Sequence, residues 1–109
     1  YLSSQIAGMP GRRHIVIGFV GDKDVREIVR EIARYNADAL FYLTAPSCHR
    51  RLPENDLQTI VRGEGLDGLS FATVDEAYRK ALADSGKGDS IFVGGSNYVV
   101  GELLAALEF

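Results

Sequence analysis

Four short runs of apolar, β-branched and aromatic residues dominate the hydrophobic pattern of the chain. They cover residues 14–20, 39–44, 69–73 and 90–94. The first and the last are almost continuously apolar, which is typical of strands buried on both faces of a parallel sheet. We therefore predict four strands covered by helices on both sides.

Amphipathic segments separate these runs. The segment over residues 23–35 predicts a helix whose apolar side chains recur three and four residues apart: Val25, Ile28, Val29, Ile32 and Ala33. A second helix follows Pro53, which suits a first turn, and ends at Gly63. A short helix over residues 2–7 precedes the first strand.

Two further helices are predicted after the third and fourth runs. Thr73 and Glu76 have the spacing of a capping box. That helix is expected to turn one stripe inward: Ala77, Tyr78, Ala81 and Leu82. The last helix starts at Ser96 and is expected to bury a wider stripe: Val99, Val100, Leu103, Leu104 and Leu107.

Strict alternation of helices and strands predicts the fold class. Crossovers of this length join parallel strands. We expect a three-layer α/β/α sandwich around a four-stranded parallel sheet in the order 4-1-2-3, formed by residues 1–109 as one domain.

Composition narrows the class of protein. Hydrophobic residues make up 46% and charged residues 25% of the chain, as in ordinary globular proteins. The net charge is −3 without a basic stripe, and no apolar run approaches ~20 residues, so we expect neither nucleic acid nor membrane as a partner. One cysteine excludes an internal disulfide, and a cytoplasmic location is expected.

The loops that follow the strands are the candidate site, because ligands of open parallel sheets bind beyond the carboxyl ends of the strands. Gly95 lets a ligand approach the backbone, while Ser96 and Asn97 open a helix whose free amides favour an anion. The alternative is a glycine turn with Ser96 as N-cap.

The loop after the first strand offers charge. Lys23 in a first turn opposes the helix dipole, so it is a candidate for holding a carboxylate or phosphate. Asp22 as N-cap and Asp24 in the first turn have a purely structural alternative.

The loop after the second strand offers further cations. Arg50 and Arg51 could grip an anion, or could be solvated surface charge. His49 and His14 lack a metal-ligand spacing, and Cys48 has no evident catalytic base, so no catalytic residue is predicted within the chain. No phosphate loop of the G-x-x-x-x-G-K-[ST] type occurs either.

The same loops carry a family resemblance. The segments IVIGFVGDKDVREIV, ALFYLTAPSCHRRLPENDL, VDEAYRKAL and DSIFVGGSNYVVGELL resemble, in this order, the C-terminal domain of folylpolyglutamate synthase/dihydrofolate synthase, within the Mur ligase superfamily. The resemblance implies a ligase that uses ATP and Mg²⁺ to activate a folate carboxylate, which the amine of glutamate then attacks.

Site residues are implied by the same resemblance. Lys23 and Ser96 match family positions that contact the amino acid, Arg50 matches an arginine common in the third loop, and Asp22 and Asp24 complete the D-K-D motif. Arg51 stands where the family often has a small residue, which leaves its role open.

The family's D-x-x-H-N motif and ATP-binding domain are missing from the sequence. We therefore expect a fragment that is inactive alone, works with an N-terminal ATP-binding domain of the same chain, and leaves the fourth strand at a sheet edge. Two alternatives stay open: a cell-wall Mur ligase domain, and a stand-alone flavodoxin- or receiver-like module.

Overall fold

A computed structural model describes residues 2–21 and 24–107. In these residues five helices alternate with four strands. In chain order they are α1 (Leu2–Ala7), β1 (Arg13–Ile17), α2 (Val25–Ala33), β2 (Leu40–Leu43), α3 (Glu54–Gly63), β3 (Gly68–Ser70), α4 (Val74–Asp84), β4 (Ser90–Gly94) and α5 (Asn97–Ala106).

All neighbouring strands of the sheet pair in parallel, in the order β3-β2-β1-β4. This confirms the predicted order 4-1-2-3 and leaves β4 at an edge. The chain moves from β1 to β2 to β3 in one direction and then returns beyond β1. The strand order therefore reverses between β1 and β4, the place where α/β sheets of this kind bind ligands.

Helices cover both faces of the sheet, as predicted. On one face α1, α2 and α3 pack over the larger core, which contains Ile15, Ile17, Val29, Leu43 and Leu57, all fully or almost fully buried. On the other face α4 and α5 enclose Val16, Tyr42, Val74 and Val99. None of the helices in the described part of the chain is long and apolar enough to cross a membrane.

The predicted apolar stripes are wider than the buried ones. In α5 only Val99 and Leu103 are buried, whereas Leu104 is 61% exposed, and Val100 and Leu107 are also exposed. The reason is that α5 lies over the edge strand β4, so the sheet beneath it is narrow. In α4 and α2 the outermost predicted positions are likewise exposed: Leu82 and Ile28.

The first strand is shorter than predicted. The ladder of β1 ends at Ile17, and residues 18–20 leave it to run along the loop after β2. There the amide of Leu52 donates to the carbonyl of Phe19 over 2.9 Å, and Val20 forms an antiparallel bridge with Arg51. Three residues that continue the apolar pattern of β1 thus connect two loops at the carboxyl edge of the sheet.

Candidate functional site at the carboxyl edge of the sheet

The loops after β1 and β4 touch each other at the carboxyl edge. The amide of Gly18 reaches the carbonyl of Gly94 over 3.4 Å. Gly95 has a φ of +96°, and a Cβ placed there would lie 2.5 Å from the carbonyl oxygen of Gly18. Only glycine fits this contact, which brings the start of α5 against the loop that leads to residues 22–23.

The loop before α2 has an unusual backbone. Lys23 and Asp22 lie outside the described residues, so the structure does not place their side chains. On either side of them, Gly21 and Asp24 have φ values of +68° and +61°. Asp24 is the N-cap rather than a first-turn residue, and its side chain makes no capping hydrogen bond. A left-handed non-glycine residue is a strained feature that recurs at functional sites.

The loop after β2 is joined to the same place. The amide of Gly21 donates to the carbonyl of Arg50 over 2.7 Å. Arg50 lines a cavity of about 320 Å³ together with Val20, His49 and Tyr98. The structure therefore brings Arg50 to the start of α5, as the interpretation of a shared site requires.

The start of α5 confirms part of the structural alternative. The Oγ of Ser96 accepts a hydrogen bond from the amide of Tyr98 over 3.2 Å, so Ser96 does cap the helix. A serine hydroxyl that accepts in this way keeps its own proton for donation to a ligand. Asn97 lines a neighbouring cavity of about 390 Å³ between α5 and the loop after β2.

Two residues of α5 contribute to the edge without having been singled out from the sequence. Tyr98 is 61% exposed and lines both cavities. Glu102 accepts a hydrogen bond from the amide of Ser47 over 2.6 Å and so fixes the loop after β2 to α5. Their spacing of four residues, which places them on one helix face, was the available signal.

Among the described residues, Arg50 and Arg51 have no ion-pair partner at this edge. On α2, Arg26 and Arg30 each pair with Glu64. Those arginines, Arg30 first, lower the pKa of Glu64. Within the described residues, by contrast, no acidic side chain forms an ion pair with Arg50 or Arg51. An anionic ligand would supply the missing partner.

The other polar residues considered from the sequence lie in different places. His14 is buried beside Tyr42 and Asp89, near the amino edge of the sheet. Cys48 is half-buried in the turn after β2. No group of three or more potential metal ligands occurs within residues 2–21 and 24–107. Since the sequence also lacks a phosphate loop, these residues do not form a nucleotide site of that type.

Comparisons with known proteins agree with this architecture. Ligand-free folylpolyglutamate synthase/dihydrofolate synthase from Yersinia pestis superposes with a TM-score of 0.86 at 24% identity, over 100% of this chain and 26% of that chain. E. coli FolC in complex with DHPP and ADP gives 0.78 at 24% identity, over 98% and 25%. A structure of the bifunctional synthase with Mn, AMPPNP and L-glutamate bound gives 0.86 at 24% identity, over 100% and 26%.

At this identity the solved structures show a shared fold, and the chain spans about a quarter of their length. A comparison with curated proteins finds no match. The family model described as "Mur ligase, glutamate ligase domain" matches residues 1–97. The chain belongs to the Mur ligase glutamate ligase domain family.

Proposed function

We propose that this chain is the glutamate-binding part of an ATP-dependent ligase of the folylpolyglutamate/dihydrofolate synthase kind, acting in the cytoplasm. The observation that carries the proposal is the convergence of three loops at one edge of the sheet. The contact of Gly95 with Gly18 joins the loops after β4 and β1, and the bond from Gly21 to Arg50 adds the loop after β2.

This arrangement suits a dicarboxylic amino acid. The start of α5 offers a hydroxyl at Ser96 and the positive end of a helix, and Arg50 offers a fork of donors in the cavity that it shares with Tyr98. Lys23 follows Gly21 by two residues in the sequence and lies outside the described residues, so its part in the site is proposed from the sequence. In the proposal Lys23 and Ser96 hold one carboxylate, Arg50 the other, and Gly95 and Asn97 shape the approach.

The chemistry assigned to the whole ligase has two steps. ATP with Mg²⁺ converts a carboxylate of the folate acceptor into an acyl phosphate. The amine nitrogen of glutamate then forms a bond to the acyl carbon, the bond from that carbon to the phosphate oxygen breaks, and the nitrogen loses a proton. The part played by this chain is to hold both carboxylates of glutamate so that the amine points at the acyl carbon.

ATP and Mg²⁺ are assigned to a second, ATP-binding domain rather than to this chain. The reason is that the sequence has no phosphate loop. In the proposal the outer face of α5 contacts such a domain, because Val100, Leu104 and Leu107 expose apolar surface. We expect the isolated 109-residue chain to bind glutamate weakly and to catalyse no ligation.

Calorimetric titration with L-glutamate tests the proposal. Lys23→Ala should weaken binding about tenfold or more, since a hydrogen bond to a charged group contributes about 1.5–3 kcal/mol. The matched control is Lys87→Ala, which removes a lysine from the loop before β4, at the opposite edge. This control should leave the affinity unchanged.

Other amino acids define the selectivity. L-Aspartate should bind more weakly than L-glutamate, because the site holds two carboxylates at a fixed distance and those of aspartate are one methylene closer together. Absence of binding at tens of millimolar L-glutamate would contradict the proposal. Preference for a different amino acid would instead favour a cell-wall Mur ligase, the runner-up within the same family.

A further inference from the structure

Arg50 and Arg51 are adjacent in sequence but line different cavities. Arg51 pairs with Val20 in an antiparallel bridge, and side chains alternate sides in extended backbone of this kind. Arg50 lines the cavity shared with Tyr98. Arg51 lines a second cavity of about 470 Å³, called here the Arg51 cavity, which is formed by residues 45–49, Arg51 and Ala72.

The Arg51 cavity lies at the carboxyl ends of two strands. Residues 45–49 follow β2, and Ala72 follows β3, one residue before the N-cap of α4. The Arg51 cavity adjoins the cavity lined by Arg50 and Tyr98, called here the Arg50 cavity, because Cys48 and His49 line both. A single ligand that passes over this shared wall can therefore reach both arginines.

The described residues that line the Arg51 cavity include a cationic side chain and no acidic one. No acidic side chain in residues 2–21 and 24–107 pairs with Arg51, and none lines the cavity. His49 adds a ring that can donate a hydrogen bond at the same wall. A concave surface with an unpaired guanidinium is suited to a carboxylate or phosphate, which arginine binds through two parallel bonds.

We propose that the Arg51 cavity is a second carboxylate subsite, which holds the non-reacting carboxylate of a glutamyl residue at the end of the acceptor. This inference rests on the proposed function, in which the Arg50 cavity holds the incoming glutamate. It makes Arg51 a specificity residue: acceptors that already end in glutamate gain a contact that acceptors without glutamate lack.

Paired titrations of the 109-residue chain with L-glutamate and γ-L-glutamyl-L-glutamate test this inference, since the dipeptide carries the extra carboxylate. The dipeptide should bind about tenfold more tightly than glutamate, the order expected of a charge-assisted hydrogen bond. Arg51→Ala should abolish that advantage and leave the affinity for glutamate within about twofold. Arg51→Lys should retain part of it, because it keeps the charge and loses the fork.

Controls separate this inference from the proposed function. Arg62→Ala removes an arginine on α3 that also lacks an ion pair among the described residues, and should change neither affinity. Arg50→Ala should weaken both ligands. The amide resonance of Ala72 should shift with the dipeptide and not with glutamate, which locates the extra contact.

The outcomes are distinguishable. Equal binding of the two ligands, or an equal loss for both in Arg51→Ala, overturns the subsite and leaves the proposed function standing. Dipeptide binding that depends on Arg51 without any binding of glutamate overturns the proposed function and, with it, the assignment of the cavity to an acceptor, although Arg51 still binds a carboxylate. Absence of both overturns both. If inorganic phosphate binds the cavity through Arg51 and the dipeptide does not, the carboxylate assignment is wrong.

Discussion

The buried hydroxyl of Tyr42 contacts two polar side chains, those of His14 and Asp84. The substitution Tyr42→Phe removes both contacts, and the resulting loss of folding stability can be worked out from the structure. Tyr42 is 2% exposed. Its hydroxyl donates to Oδ2 of Asp84 over 2.9 Å and lies 3.0 Å from Nδ1 of His14. Burial, followed by the bond to Asp84, raises the pKa of Tyr42 above its usual range, so the hydroxyl keeps its proton at neutral pH.

The magnitude follows from what each partner loses. Asp84 keeps its bond to Lys80 at 2.8 Å, so the lost bond to the phenol costs about 1 kcal/mol. His14 is 1% exposed, and its Nδ1 would be left without a partner, which costs about 1–3 kcal/mol. We therefore expect Tyr42→Phe to lower the free energy of unfolding by about 2–4 kcal/mol.

Chemical denaturation and thermal unfolding measure this loss. Each kcal/mol should lower Tm by roughly 4–8 °C in a domain of about this size. The control is Tyr35→Phe, at a position that is 58% exposed, and it should change stability by less than about 0.5 kcal/mol. A change below about 0.5 kcal/mol for Tyr42→Phe as well would refute the reasoning that His14 depends on this hydroxyl.

Three further predictions concern the backbone and acid stability. Gly95→Ala places a Cβ 2.5 Å from the carbonyl oxygen of Gly18 at a φ of +96°. It should lower the free energy of unfolding, measured by chemical denaturation, by about 1–3 kcal/mol and should abolish binding of L-glutamate in the titration. Values close to those of the parent chain in both measurements would contradict this. Asp24→Gly relieves a φ of +61° without losing a capping bond, and should raise unfolding free energy by up to about 1 kcal/mol rather than lower it. Asp89 accepts hydrogen bonds from the amide of Gly86, then from His14 and the amide of Arg12, which lower its pKa from 3.8 to about 2. Folding therefore favours the charged form of Asp89, so the stability that this residue adds is present above pH 3.8 and is lost as the pH falls toward 2. Asp89→Asn should make the free energy of unfolding depend less on pH across that range. An unchanged dependence on pH would contradict this.

The sheet was predictable from the sequence because parallel strands have a strong local signal. Alternation with helices predicted parallel pairing, and the apolar run at residues 14–20 predicted the buried strand β1. The run at residues 90–94 also predicted burial on both faces, but four of its five residues are only half-buried, because β4 lies at the edge of the sheet. The capping of α4 was equally local: the Oγ1 of Thr73 accepts from the amide of Glu76 over 3.1 Å. Features that depend on residues close together in the sequence, such as the presence of the strands and the cap of α4, were therefore predicted correctly.

Features set by distant contacts could not be predicted. The exposure of Leu104 depends on the narrow sheet under α5, and the role of Glu102 depends on the amide of Ser47, 55 residues away. The separation of Arg50 from Arg51 arises from the bridge to Val20, which no local pattern encodes. The candidate site could be located at the carboxyl edge from the sequence, but its division into cavities required the packing of three loops.

The location of bound glutamate tests the central claim most directly. Amide chemical shifts of the ¹⁵N-labelled chain should be followed during titration with L-glutamate. We predict that the largest changes cluster at Gly21, Lys23, Gly95 and Ser96, and that Lys23→Ala removes them while Lys87→Ala does not. Changes centred on the amino edge of the sheet, or a response unaffected by Lys23→Ala, would contradict a glutamate site built from these loops.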